Sequence, residues 1–262
     1  MIGFCPLASG SRGNAIYFGS EKTKILIDAG ISYLQLKTRL AQINVNVEDI
    51  EAVLVTHEHV DHIAGLKVLH DKHSTPVFAN SDTAKAIYNN LQVLPKFKIF
   101  TTSEEFEFKD LKILPFSIQH DTLDPVGFVI KTKNLKFAFC TDLGFVTSLV
   151  RKILSDCDYL YIEANHHVPF VEASNRPYVY KQRVLSRQGH LSNDECLRLL
   201  DEIIHPKLKH IHIAHISEEC NSKDLISDLI KELLIRKKSK ALFSLTHQDK
   251  ISNKINFSDL NL

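Results

Sequence analysis

The amino-acid sequence predicts a mixed α/β fold in which two β-sheets pack face to face with helices outside them, a four-layer αββα sandwich. Each half of the chain passes through strand-like segments and then helix-like segments, which favours two such sheets. Glycine (9) and proline (8) are scarce among the 262 residues, and no segment rich in them divides the halves. We therefore expect a single domain over residues 1–262.

The first half of the chain is rich in short runs of β-branched and aromatic residues. These runs predict strands at 2–8, 15–18, 24–27 and 52–55, and further strands at 99–101, 111–118, 126–132 and 136–140. Apolar residues at helical spacing predict a helix at 32–43.

In the second half, helices and strands alternate. We expect helices at 145–154, 177–187, 192–204 and 225–235, and strands at 159–162 and 210–214. The helix at 192–204 has the clearest start, because Ser192 and Glu195 form the S-x-x-E pattern of a capping box.

Composition excludes several classes of protein. Hydrophobic residues at 44% and charged residues at 24% are typical of a globular protein and exclude a disordered chain or a coiled coil. With 32 basic and 31 acidic residues, the net charge of +1 offers no overall positive field for nucleic acid. The sequence has no apolar run long enough for a membrane helix, no signal peptide and no C-x-x-C pair, so we expect a cytoplasmic protein.

Histidine is enriched, and its densest cluster directly follows the strand predicted at 52–55. His57 and His59 are two residues apart in an extended segment and therefore point the same way. The turn into a helix brings Asp61 and His62 beside them, which is enough for parts of two adjacent metal sites. The alternative is a polar loop that caps a helix, but polar residues at this density have no packing reason to follow a buried strand.

The segment from His57 to His62 matches H-x-H-x-D-H and resembles the signature of the metallo-β-lactamase-fold hydrolases. Four more polar residues lie at predicted strand ends in that family's order: Asp28, His120, Asp142 and His215. The segments 8–14, 163–166 and 189–193 are most similar to the YycJ/WalJ group of bacterial nucleases. The resemblance thus extends over nearly the whole chain and implies the metallo-β-lactamase fold.

This resemblance implies two divalent metal ions. One would be held by His57, His59 and His120, the other by Asp61, His62 and His215, and Asp142 would bridge them. Imidazole and carboxylate ligands suit zinc, manganese or iron, among which the sequence does not choose. The resemblance also implies that Asp28 orients the ligand loop and that His166 lies near the metal cleft without ligating.

The implied activity is phosphodiester hydrolysis, as an exonuclease on DNA. A hydroxide shared by the two ions would attack phosphorus, and Asp61 would orient this hydroxide while also binding an ion. His190, close to the start of the helix at 192–204, would stabilise the phosphate or protonate the leaving oxygen.

Asp142 replaces the cysteine of many true β-lactamases, which disfavours antibiotic hydrolysis. Two alternatives stay open: a thioester or lactone hydrolase using the same metals, and a zinc-binding scaffold with an inert site.

Basic residues are concentrated in one segment between residues 173 and 193, which contains no acid. They are Arg176, Lys181, Arg183 and Arg187. With Tyr178 and Tyr180 among them, this segment predicts a groove that follows a nucleic-acid backbone, although such a charge run is often only a solvated helix face. The segment 143–214 is too short for the inserted domain of RNA-processing relatives, so DNA is the favoured partner over RNA. Further grip on the substrate would require a second subunit in a homo-oligomer.

Overall fold

A computed structural model of the chain describes residues 1–92 and 95–257. Its strands form two mixed sheets, each with seven described strands. The three antiparallel pairings of the first sheet come from its first three strands and the last strand of the chain, and the remaining pairings are parallel. The second sheet repeats this division, with three parallel and three antiparallel pairings.

The first sheet has the strand order β14-β1-β2-β3-β4-β5-β6. Its strands are β1 (Gly3–Ala8), β2 (Ala15–Gly19), β3 (Lys24–Ile27), β4 (Ala52–Leu54), β5 (Val77–Ala79), β6 (Phe97–Ile99) and β14 (Ile255–Asn256). The second sheet has the order β13-β12-β11-β10-β9-β8-β7. Its strands are β7 (Phe106–Phe108), β8 (Leu111–Ser117), β9 (Val126–Lys131), β10 (Lys136–Cys140), β11 (Tyr159–Glu163), β12 (His210–Ala214) and β13 (Leu242–Leu245).

The helices connect the parallel strands and lie on the outer faces of the sheets. They are α1 (Tyr33–Ala41), α2 (Val60–Ile63), α3 (Leu66–His73), α4 (Ser81–Leu91), α5 (Ser148–Leu154), α6 (Val168–Ala173), α7 (Tyr178–Leu185), α8 (Asn193–Ile203) and α9 (Lys223–Arg236). None of the helices in the described part of the chain is both long and apolar enough to cross a membrane.

Three buried apolar clusters define the layers. The central cluster joins inward-facing aromatic residues of both sheets, among them Phe4 and Phe18 of the first sheet and Phe137 of the second, with ring centroids 6.0 and 5.1 Å apart. A second cluster lies between the first sheet and helices α1, α3 and α4, and a third between the second sheet and helices α5, α8 and α9. The four-layer sandwich predicted from the sequence is therefore confirmed.

Some element boundaries differ from the sequence prediction. Strand β6 begins two residues before the predicted 99–101, because it pairs with the short strand β5 in a register that starts at Phe97. The predicted helix 145–154 begins only at Ser148, because the Thr147 side chain accepts a hydrogen bond from the Val150 amide and caps the helix there. Helices α3, α4 and α6 and strands β5, β7, β13 and β14 were not predicted. The single domain over 1–262 stays a prediction, since 93–94 and 258–262 lie outside the described residues.

The predicted capping box at the start of α8 is half formed. The Ser192 hydroxyl accepts from the Glu195 amide at 3.2 Å, but the Glu195 carboxylate pairs with Arg198. A complete box occurs instead at α1, where Ser32 and Gln35 bond each other's backbone amides.

The fold brings polar residues together at one end of the sandwich. The candidate ligands all follow the carboxyl ends of strands β4, β8, β10 and β12, and Asp28 follows β3 in the same way. Asp28, Asp142 and His215 have positive φ angles of 59°, 57° and 52°. Residues other than glycine rarely adopt this left-handed conformation, which carries an energetic cost. The chain thus turns sharply at three strand ends to aim these side chains.

One buried histidine away from that end makes the fold sensitive to acid. His212 of β12 lies between the sheets against Phe4, and its Nε2 is 2.8 Å from the carbonyl oxygen of Asn253. Burial, together with the nearby His210 ring, lowers the pKa of His212 to about 3. In the unfolded chain its pKa is close to 6.5, so below that pH the unfolded state takes up a proton that the folded state does not.

We therefore expect the free energy of unfolding to fall as the pH drops from 7 to 5, with about 2 kcal/mol of this fall due to His212. His212→Gln keeps an N–H for the Asn253 carbonyl but cannot be protonated, and should remove that part of the fall. Urea unfolding at both pH values, with a chelator present, measures the difference. An equal fall in the variant and the unaltered chain would contradict this explanation.

Candidate metal centre

Seven side chains predicted as ligands meet at the convergent strand ends. The ligand-capable atoms of His57, His59 and His120 all lie within 4.8 Å of one another. His57 and His59 come from the loop after β4 in the first sheet, whereas His120 follows β8 in the second sheet. The structure therefore brings together, from both sheets, the first predicted ligand set.

The second predicted set also converges. Asp61, His62 and His215 place one potential ligand atom each within 4.8 Å of the others. Asp142 lies between the sets: its Oδ2 is 3.4 Å from His62 Nε2, and its Oδ1 is 3.5 Å from His215 Nε2 and 3.8 Å from His120 Nε2. The position of Asp142 is that of a carboxylate shared by two neighbouring sites.

Three of these side chains have buried polar atoms that lack a hydrogen-bond partner within the described part of the chain. They are His120 Nε2, Asp142 Oδ2 and His215 Nε2. A buried polar atom without a partner costs about 1–3 kcal/mol, so their presence at one point indicates a ligand. A divalent cation satisfies nitrogen and oxygen donors at once, and this set without thiolate suits zinc, manganese or iron. The residues present therefore fit a metal centre.

Four of the imidazoles are held from outside through Nδ1. Their partners are Thr56 Oγ1 for His57 (2.9 Å), Asp28 Oδ2 for His62 (2.8 Å), the Gly189 carbonyl for His120 (3.0 Å) and Glu163 Oε1 for His215 (3.0 Å). Such contacts fix the tautomer and the ring direction of a ligand histidine. In each case Nε2 is left facing the centre.

Asp28 occupies the orienting position that the resemblance implies. Its buried carboxylate accepts hydrogen bonds from both the amide and the hydroxyl of Thr56, each at 2.9 Å, besides contacting His62. Because the Thr56 hydroxyl donates to Asp28, it can only accept from His57 Nδ1. Asp28 therefore orders two imidazoles through one carboxylate.

Glu163 is a site residue that the sequence analysis missed. This fully buried carboxylate ends β11, and its Oε1 lies 2.8 Å from His190 Nδ1 and 3.0 Å from His215 Nδ1. Its Oε2 accepts from the amides of Leu143 and Leu191. The strand predicted at 159–162 ends one residue before Glu163. The other site residues are polar residues at strand ends, and the same criterion identifies Glu163.

The electrostatics of the centre depend on buried carboxylates among imidazoles. Burial alone would raise the pKa of Asp142, but His215 and His62 hold it well below its usual range. Burial would lower the pKa of His62, yet Asp28 and Asp142 raise it to about 10. His215 responds in the same way to Asp142 and Glu163, and its pKa rises to about 9. The buried carboxylates are therefore stabilised by nearby positive charge, and a bound metal ion would supply such charge.

His57 and His120 behave differently. Burial, reinforced for His57 by the neighbouring His62, lowers the pKa of both imidazoles below the ordinary value. They are therefore neutral at physiological pH, which is the form of histidine that binds a metal.

Asp121 lies at the edge of the first ligand set. Its Oδ1 is 3.4 Å from His120 Nε2 and 3.7 Å from His59 Nε2, and its other oxygen pairs with Arg183 of helix α7. Partial burial would raise the pKa of Asp121, but Arg183 lowers it. Arg183 is predicted to contact nucleic acid, and in the structure it pairs with this carboxylate.

The predicted residues His166 and His190 both follow Glu163 in the chain. His190 stacks on His215 with ring centroids 5.0 Å apart, and about 19% of its side chain is exposed. His166 is buried, its Nδ1 has no hydrogen-bond partner among residues 1–92 and 95–257, and burial lowers its pKa to about 4. The side chain that contacts the His215 loop is that of Asn165, whose amide nitrogen is 2.8 Å from the His215 carbonyl.

The predicted basic groove is partly paired within the chain. Arg176 pairs with Glu219, and Lys181 donates to the carbonyl of Glu172. Arg187 stacks at 4.0 Å on the ring of Phe145 and has no carboxylate partner among residues 1–92 and 95–257. Tyr178 is 73% exposed beside them. Residues distant in sequence therefore supply the acids that the segment itself lacks.

Known proteins resemble the chain over most of its length. Residues 23–213 match the family model of the β-lactamase superfamily domain. The chain is 34% identical over 237 residues to exodeoxyribonuclease YycJ of Bacillus anthracis, covering 89% of each protein. It is 36% identical over 224 residues to exodeoxyribonuclease WalJ of Streptococcus pneumoniae, covering 84% of this chain and 83% of that protein.

Solved structures share the fold at lower identity. The metallo-β-lactamase fold protein YhfI of Bacillus subtilis superimposes with a TM-score of 0.71 at 14% identity, covering 95% of this chain and 98% of that one. Unliganded yeast PDE1 gives the same TM-score, also at 14% identity, covering 96% and 99%. Fold, ligand arrangement and sequence similarity agree: the chain belongs to the metallo-β-lactamase superfamily and, within it, to the family of YycJ and WalJ.

Proposed function

We propose that the protein is a metal-dependent exodeoxyribonuclease that uses two divalent ions. The observation that carries the proposal is the convergence of two nitrogen- and oxygen-rich ligand sets around the carboxylate of Asp142, with three ligand atoms that have no hydrogen-bond partner among the described residues. The activity named for YycJ and WalJ supports the choice of DNA as substrate.

In this proposal, His57, His59 and His120 hold one ion and Asp61, His62 and His215 hold the other, with Asp142 between them. Two such ions supply a nucleophile at neutral pH and neutralise charge on the phosphate. The Asp61 side chain is about 27% exposed, so it can face both a ligand and the open cleft. The Asn14 amide nitrogen donates to Asp61 Oδ2 at 3.2 Å and so holds this carboxylate in place.

His190 is proposed as the proton donor to the leaving oxygen. Glu163 binds its Nδ1, and its partly exposed ring leaves Nε2 for a substrate oxygen. Burial would raise the pKa of Glu163, but His190 and His215 lower it to about 2. Glu163 therefore stays ionised and accepts a hydrogen bond from His190 Nδ1, which fixes the ring with its Nε2 available to a substrate oxygen.

The exposed part of α7 and the segment after it are proposed to bind DNA. Lys181 and Arg187 have no carboxylate partner among the described residues, and Tyr178 offers an exposed ring for stacking. Arg176 and Arg183 were predicted to bind DNA as well, but their ion pairs make them weaker candidates.

Replacement of a ligand should abolish nuclease activity. We expect His59→Ala to reduce degradation of end-labelled DNA by at least about a thousandfold, because the first ion loses one of its three imidazoles. The assay compares single-stranded DNA, double-stranded DNA and RNA with added zinc or manganese, and metal analysis gives the number and identity of the ions bound.

The matched control is His73→Ala, which removes a histidine at the end of α3 that contacts Tyr33 of α1 and not the centre. Equal degradation by His59→Ala and the unaltered chain would refute the proposal. Turnover of small thioesters without cleavage of DNA would assign the centre to ester hydrolysis instead.

A proton donor should matter only when the leaving group needs a proton. We expect His190→Ala to lower kcat on DNA about 10²- to 10⁴-fold. On bis(4-nitrophenyl) phosphate, whose nitrophenolate leaves without protonation, the same variant should keep most of its activity. Equal losses on both substrates would show that His190 stabilises the phosphate or the metal centre rather than the leaving oxygen.

A further inference from the structure

His59 is the candidate ligand whose ring faces the opposite way from the other four. Its Nδ1 lies 3.2 Å from His57 Nε2, on the side of the centre, so its Nε2 is the atom that points outward. The other imidazoles are held from outside by Thr56, Asp28, Glu163 and the Gly189 carbonyl, whereas His59 Nε2 faces Asp121.

Asp121 is fixed in this position from helix α7. One of its oxygens lies 3.7 Å from His59 Nε2 and 3.4 Å from His120 Nε2, and the other pairs with the Arg183 guanidinium. The Asp121 side chain is 28% exposed, so without the Arg183 ion pair it could turn away from the imidazoles into solvent. The ion pair restrains it against both rings of the first ligand set.

We propose that Asp121 is a positioning residue for the first ligand set and that Arg183 acts through it. At 3.7 Å the Asp121 oxygen makes an electrostatic contact with His59 Nε2 rather than a hydrogen bond, and a carboxylate on the outer side of a ligand histidine orients its ring and makes it a stronger ligand. Helix α7 thus helps to determine how tightly the first ion is held. The inference rests on the ligands proposed above, and it gives Arg183 a role other than contacting nucleic acid.

The test is a titration of the metal-free full chain with Zn²⁺ against a chromophoric chelator, without DNA. We expect Arg183→Gln, which removes the charge but keeps a long polar side chain, to weaken the binding of one of two ions about 10- to 100-fold. Binding of the second ion should not change. Arg183→Lys keeps a cation opposite Asp121 and should recover most of the affinity.

A double-substitution cycle separates action through Asp121 from an independent effect. Asp121→Ala should weaken the same ion, and Asp121→Ala with Arg183→Gln should weaken it no further, because Arg183 then has nothing to hold. Arg187→Ala, on the same side but stacked on Phe145, is the matched control and should leave both affinities unchanged while raising KM for DNA.

Thermal unfolding of the metal-free variants checks that each variant has folded. The comparison of Arg183→Lys with Arg183→Gln isolates the effect of charge, because the two side chains are of similar length. The inference is overturned if Arg183→Gln binds both ions as tightly as the unaltered chain, or if the two losses add. If the unaltered chain binds no pair of ions, the proposed function fails. If every variant binds a pair of ions as tightly as the unaltered chain does, only the inference about Asp121 and Arg183 fails.

Discussion

The buried carboxylate of Asp142 is the interaction on which the centre depends. It lies where the two sheets meet, within 3.4 to 3.8 Å of imidazoles that come from both of them. A buried anion is stable only with cations or hydrogen-bond donors around it, and here the surrounding groups are themselves potential ligands. The Asp142 carboxylate is stabilised only when the two sheets pack together, because its partners come from both sheets. The same packing brings the residues of the site together.

Much of the fold and the centre could be predicted from local sequence. Strands β3, β10 and β12 were predicted with the residues they have in the structure, because each is a short segment with several β-branched or aromatic residues and is followed at once by a polar residue. The cluster of candidate ligands was predictable for a similar reason: strand ends collect at one edge of a sheet, and closely spaced histidines there are unusual. Strands of three residues, such as β5 and β7, have too little periodicity to be recognised.

The remaining features depend on contacts between distant segments. Arg183 is 62 residues from Asp121 in sequence, so nothing in the basic segment indicates that one of its cations is already neutralised. Glu163 is a single acidic residue at the end of an apolar strand, and its two histidine partners are 27 and 52 residues away. Sequence patterns identify residues suited to a chemistry, whereas the fold decides which of them orient others.

The left-handed backbone at Asp28, Asp142 and His215 has a consequence for attempts to transfer this centre to another scaffold. Grafting the seven side chains onto ordinary strand ends would reproduce their identities but not their directions, since an unstrained main chain leaves the strand along a different path. A designer would have to copy three costly turns first and find the packing energy that keeps them in place. In this protein the backbone conformation sets the directions in which the candidate ligand side chains point.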